Sequence, residues 1–242
     1  MRMRRAVMLL GIALSGCAVG LVGCVPAEPR EQLDGVTTPS VPAGQEVSLP
    51  DPATGGGPPL ADAIRERRSV RSYEPGPITL EQLSQLLWAT QGITDERREF
   101  RTAPSAGATY PLEVFVIAGE VEGLGPGVYR YAPREHLLTL VLEGDVRTEM
   151  ARAALGQGFV AEAPLTVLIA AVYERTERRY GQRGQRYVYM EVGHAAQNLH
   201  LQAVALGLGS VPVGAFNDAQ VGEIAGLGDD EAPLYLIPVG RR

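Results

Sequence analysis

The chain reads as an α+β protein, with one mixed domain over residues 60–242 behind an export signal and a linker. Three observations predict this. From Leu60 onward, segments of helical periodicity alternate with short apolar runs of β-branched character. Residues 25–59 hold eight prolines and the run Gly55-Gly56-Gly57, a composition that resists packing. The first 24 residues have the layout of a targeting segment. With 45% apolar and 21% charged residues, the body can bury a substantial core.

The elements follow in order. Leu60 to Arg68 reads as a short helix leading into Ser69-Val70-Arg71. Thr79 is an N-cap, Gln82 completes a capping box, and Leu80, Leu83, Leu86, Leu87 and Gln91 keep helical spacing until Gly92 stops the helix. Leu112 to Ala118 reads as a buried strand. Gly127 to Tyr131 and Leu137 to Leu142 alternate like paired strands around a turn with Pro133. Val146 to Leu155 is helical, and Leu165 to Tyr173 is an apolar strand. Tyr187 to Leu206 is the longest helix, closed by Gly207 and Gly209. A strand at Ser210 to Val213, a helix at Asp218 to Ala225 and a strand at Leu234 to Val239 follow. There is no internal repeat.

Arg2, Arg4 and Arg5 precede an apolar run from Ala6 to Val22, ending in Leu21-Val22-Gly23-Cys24. That ending resembles the lipobox of bacterial lipoproteins, in which the cysteine is acylated and becomes the mature N-terminus. Residues 1–24 are thus expected to be a lipoprotein-type signal, with Cys24 lipidated. Cys17 in Leu14-Ser15-Gly16-Cys17 is a second match, and an uncleaved anchor is the plainer alternative. Arg4-Arg5 loosely resembles a twin-arginine signal. The expected location is the bacterial cell envelope, with residues 25–59 as a tether to the membrane.

Composition excludes several chemistries. The formal net charge is −6, and −9 without the three arginines of the signal, so a nucleic-acid backbone is repelled. Every one of the 22 basic residues is arginine, which rules out a Schiff-base or P-loop lysine. Both cysteines lie in the first 24 residues, so the body has no disulfide and no thiolate ligand. No metal is expected. Glu191 and His194 have the Glu-x-x-His spacing of a di-iron helix, but the second copy such a site requires is missing.

Four segments carry candidate chemistry. Arg67-Arg68-Ser69-Val70-Arg71 clusters guanidinium and hydroxyl groups that suit a phosphate, although a solvated face has the same composition. Pro104-Ser105-Ala106-Gly107, running to Pro111, is a rigid loop of small residues past which a flat ring could approach the backbone, or simply a connection into the next strand. Gly207 to Gly214 bares its backbone N–H groups, but it follows a helix and lacks the Rossmann spacing. Gly240-Arg241-Arg242 adds two arginines after the last strand, where a frayed end is the plain alternative.

In this order and spacing the four segments resemble the nitroreductase superfamily, and within it the SagB-type dehydrogenases that include azoline oxidases of peptide tailoring. The resemblance covers about Leu60 to Arg242, including Tyr180 to Tyr187 and Glu191 to Leu199. It implies a mostly antiparallel central sheet flanked by helices, in an intertwined homodimer with one FMN at each of two subunit interfaces. It also implies that Arg67, Arg68, Ser69, Arg71, Gly240 and Arg241 hold the FMN phosphate and ribityl chain. Pro104, Ser105, Ala106 and Gly107 would lie along the isoalloxazine edge, and Pro212, Val213 and Gly214 near flavin N5. The activity implied is hydride transfer between flavin N5 and a small organic or peptide-derived substrate. A surface flavin-binding module without turnover and a flavin-consuming enzyme are the alternatives.

One departure matters. Azoline oxidases of this branch use a Lys-Tyr pair in proton removal, and the matching pair here is Arg179-Tyr180. Tyr180 keeps the catalytic position, but a guanidinium is always protonated and cannot act as a base. Either Arg179 preserves only the charge, or azoline oxidation has given way to another substrate. The second is the expectation.

Overall fold

The structure, a computed structural model, describes residues 44–242. Its strands are Glu46–Ser48 (β1), Ile93–Asp95 (β2), Phe100–Arg101 (β3), Leu112–Ala118 (β4), Gly127–Ala132 (β5), Leu137–Glu143 (β6), Leu165–Ala171 (β7), Leu208–Ser210 (β8) and Ala232–Arg241 (β9). Its helices are Leu60–Glu66 (α1), Leu80–Gln91 (α2), Arg147–Ala153 (α3), Phe159–Glu162 (α4), Tyr173–Tyr180 (α5), Arg183–Ala205 (α6) and Asp218–Ala225 (α7). Seven strands form one antiparallel sheet in the order β1-β6-β5-β4-β7-β9-β8, and β2 pairs with β3 apart from it. The predicted α+β class is the class observed.

Side chains alternate across a strand, so a strand covered on both faces reads as an unbroken apolar run. β4 is such a strand. Val114 and Val116 enter the core with Leu83, Leu86, Val192 and Leu199 of α2 and α6. Phe115 and Ile117 enter the opposite core with Met150, Val160 and Val221 of α3, α4 and α7. The sheet is therefore the middle of three layers, and α6 lies along one face of it. With 23 residues, α6 is about 34 Å long at 1.5 Å per residue.

Local signals set α2. Thr79 Oγ1 accepts from the Gln82 N–H at 3.2 Å, and Gln82 Oε1 accepts from the Thr79 N–H at 3.0 Å. Gly92 ends the helix as expected.

Elsewhere the structure departs from the sequence reading. The expected linker, residues 25–59, is not a free tether over its described part. Glu46–Ser48 pairs with Leu137–Thr139 of β6, Leu49 is buried, and the Ala53 N–H donates to Gln85 Oε1 at 2.8 Å. The expected signal and its Cys24 lie outside the described residues. Tyr173–Tyr180, where the sequence reading has only a strand ending at Tyr173, forms α5. α6 begins four residues earlier than expected, after Gly181 turns the chain at φ +58°. Gly184 lets the two helices touch, since a Cβ there would sit 2.9 Å from the Glu177 Cα. The strand expected at Ser210 to Val213 is β8, two residues earlier, with Val213 bridging to Leu236 beyond it.

Candidate functional site

The predicted residues gather at the two ends of α6. At its C-terminal end, the segment after α1 lies along the sheet edge made by β8 and β9. Ser69 bridges Ser210, the Val70 N–H donates to the Ser210 carbonyl at 3.0 Å, and the Glu74 N–H donates to the Arg241 carbonyl at 3.0 Å. Two glycines permit this approach. A Cβ on Gly209 would lie 2.7 Å from Val70, and one on Gly240 would lie 2.6 Å from the Tyr73 ring. Arg67, Arg68, Ser69 and Arg71 are thereby brought to Gly240 and Arg241, about 170 positions away in the chain. Arg241 is not frayed; it ends β9.

The charge of this cluster is uncompensated. Arg65, Arg130, Arg147 and Arg178 each have a carboxylate partner within 4 Å. Among the described residues, Arg67, Arg68, Arg71 and Arg241 have none, and Arg242 reaches Glu66 only at 3.8 Å. Arg68 Nη1 turns back onto the carbonyls of Arg65 and Arg67, at 2.8 and 2.7 Å. Arg71 lies 5.9 Å from the Phe159 ring. Arg67 Nη1 contacts His200 Nε2 at 3.0 Å, and His200 Nδ1 lies 2.6 Å from Ser210 Oγ. Burial, then the nearby Arg67, pushes the His200 pKa down to about 4. Sequence reasoning missed His200, because one histidine on the apolar face of a helix looks like core.

Pro212, Val213 and Gly214 continue along the same β9 edge. The Val213 N–H donates to the Leu236 carbonyl at 2.7 Å, and the Val213 carbonyl accepts from the Leu236 N–H at 3.0 Å. Val213 is buried and Gly214 exposed. The five residue steps from Leu236 to Arg241 span about 17 Å of strand, so these two clusters lie apart along one edge.

The opposite end of α6 carries Pro104–Gly107 and Tyr180. The loop is strained: Gly107 has φ +63°, and Ala108 and Tyr110 hold φ +52° and +44°, at about 1–2 kcal/mol each for a non-glycine residue. Side chains hold it there. Ser105 Oγ accepts from the Tyr110 N–H at 2.9 Å, and Thr109 Oγ1 lies 2.8 Å from buried Thr176 Oγ1 of α5. Arg175 donates to the Tyr110 carbonyl at 3.0 Å and Arg179 to the Gly107 carbonyl at 3.1 Å, while Arg101 stacks 4.7 Å from the Tyr110 ring centre. Tyr180 packs edge-on against Tyr187 at 5.0 Å, and its hydroxyl fills the space over Gly107, where a Cβ would be 2.6 Å away. The Arg179-Tyr180 pair is thus a clamp on this loop.

Behind the loop is Glu191, only 2% exposed, with neither carboxyl oxygen in a well-formed hydrogen bond. Burial raises its pKa to about 7; the Ser105 hydroxyl, Arg101 and the Ala106 N–H oppose the rise. It can therefore exchange a proton near neutrality. His194 is exposed while Glu191 is buried, so the two do not converge as metal ligands would.

Within one chain the two ends do not meet. His200 and Glu191 are nine residues, about 13 Å, apart along α6. A cavity of about 690 Å³ opens between residues 51–58 and α2 and α6, and one of about 310 Å³ opens beside Arg101, Tyr110 and Glu113. None of the predicted site residues lines either.

Residues 64–241 match the nitroreductase family, and the chain belongs to it. It is 54% identical over 183 residues to a candidate nitroreductase of Methanocaldococcus jannaschii, MJ1384, a match covering 76% of this chain and 91% of that one. It is 26% identical to the microcin B17-processing protein McbC of Escherichia coli, over 71% of this chain and 66% of McbC. A crystal structure of a candidate nitroreductase from Ralstonia eutropha superposes with TM-score 0.72 at 33% identity, covering 81% of this chain and 89% of that one. The protein is a nitroreductase-family oxidoreductase.

Proposed function

We propose that this oxidoreductase uses FMN and moves hydride between flavin N5 and a small organic or peptide-derived substrate. One observation carries the reading: residues 69–74 dock on the β8–β9 edge that ends in Arg241, and among the described residues Arg67, Arg71 and Arg241 have no carboxylate partner. A dianionic phosphate is the ligand such a donor set fits, through charge-assisted hydrogen bonds. FMN, when bound, supplies a two-electron acceptor and donor that the protein's own side chains lack. Beside Pro212, the Val213 N–H and carbonyl are both taken by Leu236, which leaves the exposed Gly214 to offer its backbone to the ring farther along the same edge.

Pro104 to Gly107 and Tyr180 would close the site from a second copy of the chain. That arrangement explains why both ends of α6 carry site residues yet enclose no common cavity. It also gives a partner to α6, whose Tyr189 and Met190 are 56% and 47% exposed in the single chain. The protein's tasks are then orientation, exclusion of water and placement of a proton. Tyr180 offers a hydroxyl at the ring edge, and Arg179 holds the loop through the Gly107 carbonyl.

Similarity to McbC favours a second reading, oxidation of a peptide azoline. Against it stands Arg179, which cannot remove a proton where that chemistry uses lysine. We also propose that the chain is exported and tethered to the membrane through Cys24. Outside the cytoplasm there is no standing NAD(P)H pool, so electrons would come from the substrate or a membrane quinol.

Anaerobic reduction of the FMN-loaded full chain tests both parts. Bleaching by a quinol analogue but not NADPH is expected. Efficient bleaching by NADPH, with the mature protein in the cytosol, would sink the envelope reading. Conversion of an azoline peptide would restore the second one.

A further inference from the structure

We infer that His200 is a positioning residue for the cofactor phosphate, a buried imidazole that aims the Arg67 guanidinium from behind; the inference rests on the FMN reading above. The argument begins with donor and acceptor roles. A guanidinium only donates, so at 3.0 Å from Arg67 Nη1 the His200 Nε2 must be the acceptor. Nδ1 then carries the proton and donates it to Ser210 Oγ at 2.6 Å. Chemistry alone fixes the tautomer.

The scaffold behind this contact is rigid. His200 and Ser210 are 3% and 1% exposed. Ser210 belongs to β8, and its carbonyl also accepts the Val70 N–H that seats the arginine segment on the sheet. One residue of β8 therefore sets both the backbone path of residues 69–70 and the orientation of the imidazole. The imidazole, projecting from α6, fixes the side chain at the end of α1. Of the five guanidinium N–H groups of Arg67, the others have no protein partner among the described residues.

The residue type matters as much as the geometry. A carboxylate behind Arg67 would orient it equally well but would cancel the charge a phosphate needs. A protonated imidazole would repel it. A neutral imidazole orients without neutralising, and the low pKa imposed by burial and by Arg67 keeps it neutral across the physiological range.

The test is equilibrium binding of FMN and of riboflavin, which lacks the phosphate, to the full chain. Wild type is expected to prefer FMN. His200→Leu is expected to lower that preference about tenfold by weakening FMN and leaving riboflavin unchanged. His200→Gln, whose side-chain oxygen can still accept from Arg67, is expected to recover most of it. Where His200→Leu fails to bind riboflavin, and so has lost its fold, Ser210→Ala replaces it: releasing Nδ1 should lower the preference by a smaller factor. An undiminished FMN preference in these variants overturns the role of His200. A wild type that binds FMN and riboflavin equally overturns instead the placement of the phosphate on the arginines.

Discussion

At the C-terminal end of α6 the backbone does the holding. Ser69, Val70 and Glu74 are bonded to the β8–β9 edge through main-chain groups, and Gly209 and Gly240 let them lie close. The arginine side chains are left without anionic partners. At the N-terminal end the roles reverse. There the backbone of Gly107 to Tyr110 is strained, and Thr176, Arg175, Arg179 and Arg101 hold it. One end is built to attract a charge, the other to present a fixed surface. Binding and chemistry should therefore separate by mutation.

The largest effect expected is at the arginine end. Arg71→Ala combined with Arg241→Ala removes two charged donors, at about 1.5–3 kcal/mol each, and should weaken FMN binding at least a hundredfold with thermal stability little changed. Unaltered FMN affinity in a titration would reduce the cluster to a charged surface. At the other end, Tyr180→Phe should lower turnover at least tenfold with FMN affinity within a factor of about two. A parallel loss of affinity would mean the two ends are one functional unit.

Titration offers a sharper contrast, because the two buried groups act with opposite sign. Glu191 has a folded pKa raised to about 7, so stability is lost as pH rises from the unfolded value near 4.5 towards 7. His200 has a folded pKa lowered to about 4, so stability is lost as pH falls from 6.5 towards 4. In denaturant melts, Glu191→Gln should remove the first slope and His200→Gln the second. Slopes unchanged by either substitution would contradict the burial argument. The smallest effect is a control away from both ends: Thr79→Ala breaks the capping box and should cost about 1 kcal/mol, leaving FMN affinity intact.

What was legible in the sequence follows the same division between local and distant causes. The α2 helix could be read because Thr79, Gln82 and Gly92 act within a turn of their own element. β1 could not, because Glu46–Ser48 becomes a strand only by pairing with residues some 90 positions on. The arginine segment and the small-residue loop stood out by composition and order. His200 did not, since its role depends on Arg67 and Ser210 arriving from two other elements. Glu191 was singled out for metal-ligand spacing, yet its burial behind the Ser105–Gly107 loop gives it a different significance.

The most direct measurement is an FMN titration of the purified full chain, followed by absorbance, with the oligomeric state recorded on the same sample. The expected result is a yellow dimer saturating at one FMN per chain, releasing unmodified FMN on denaturation. A protein that stays colourless at saturating FMN would contradict the central claim.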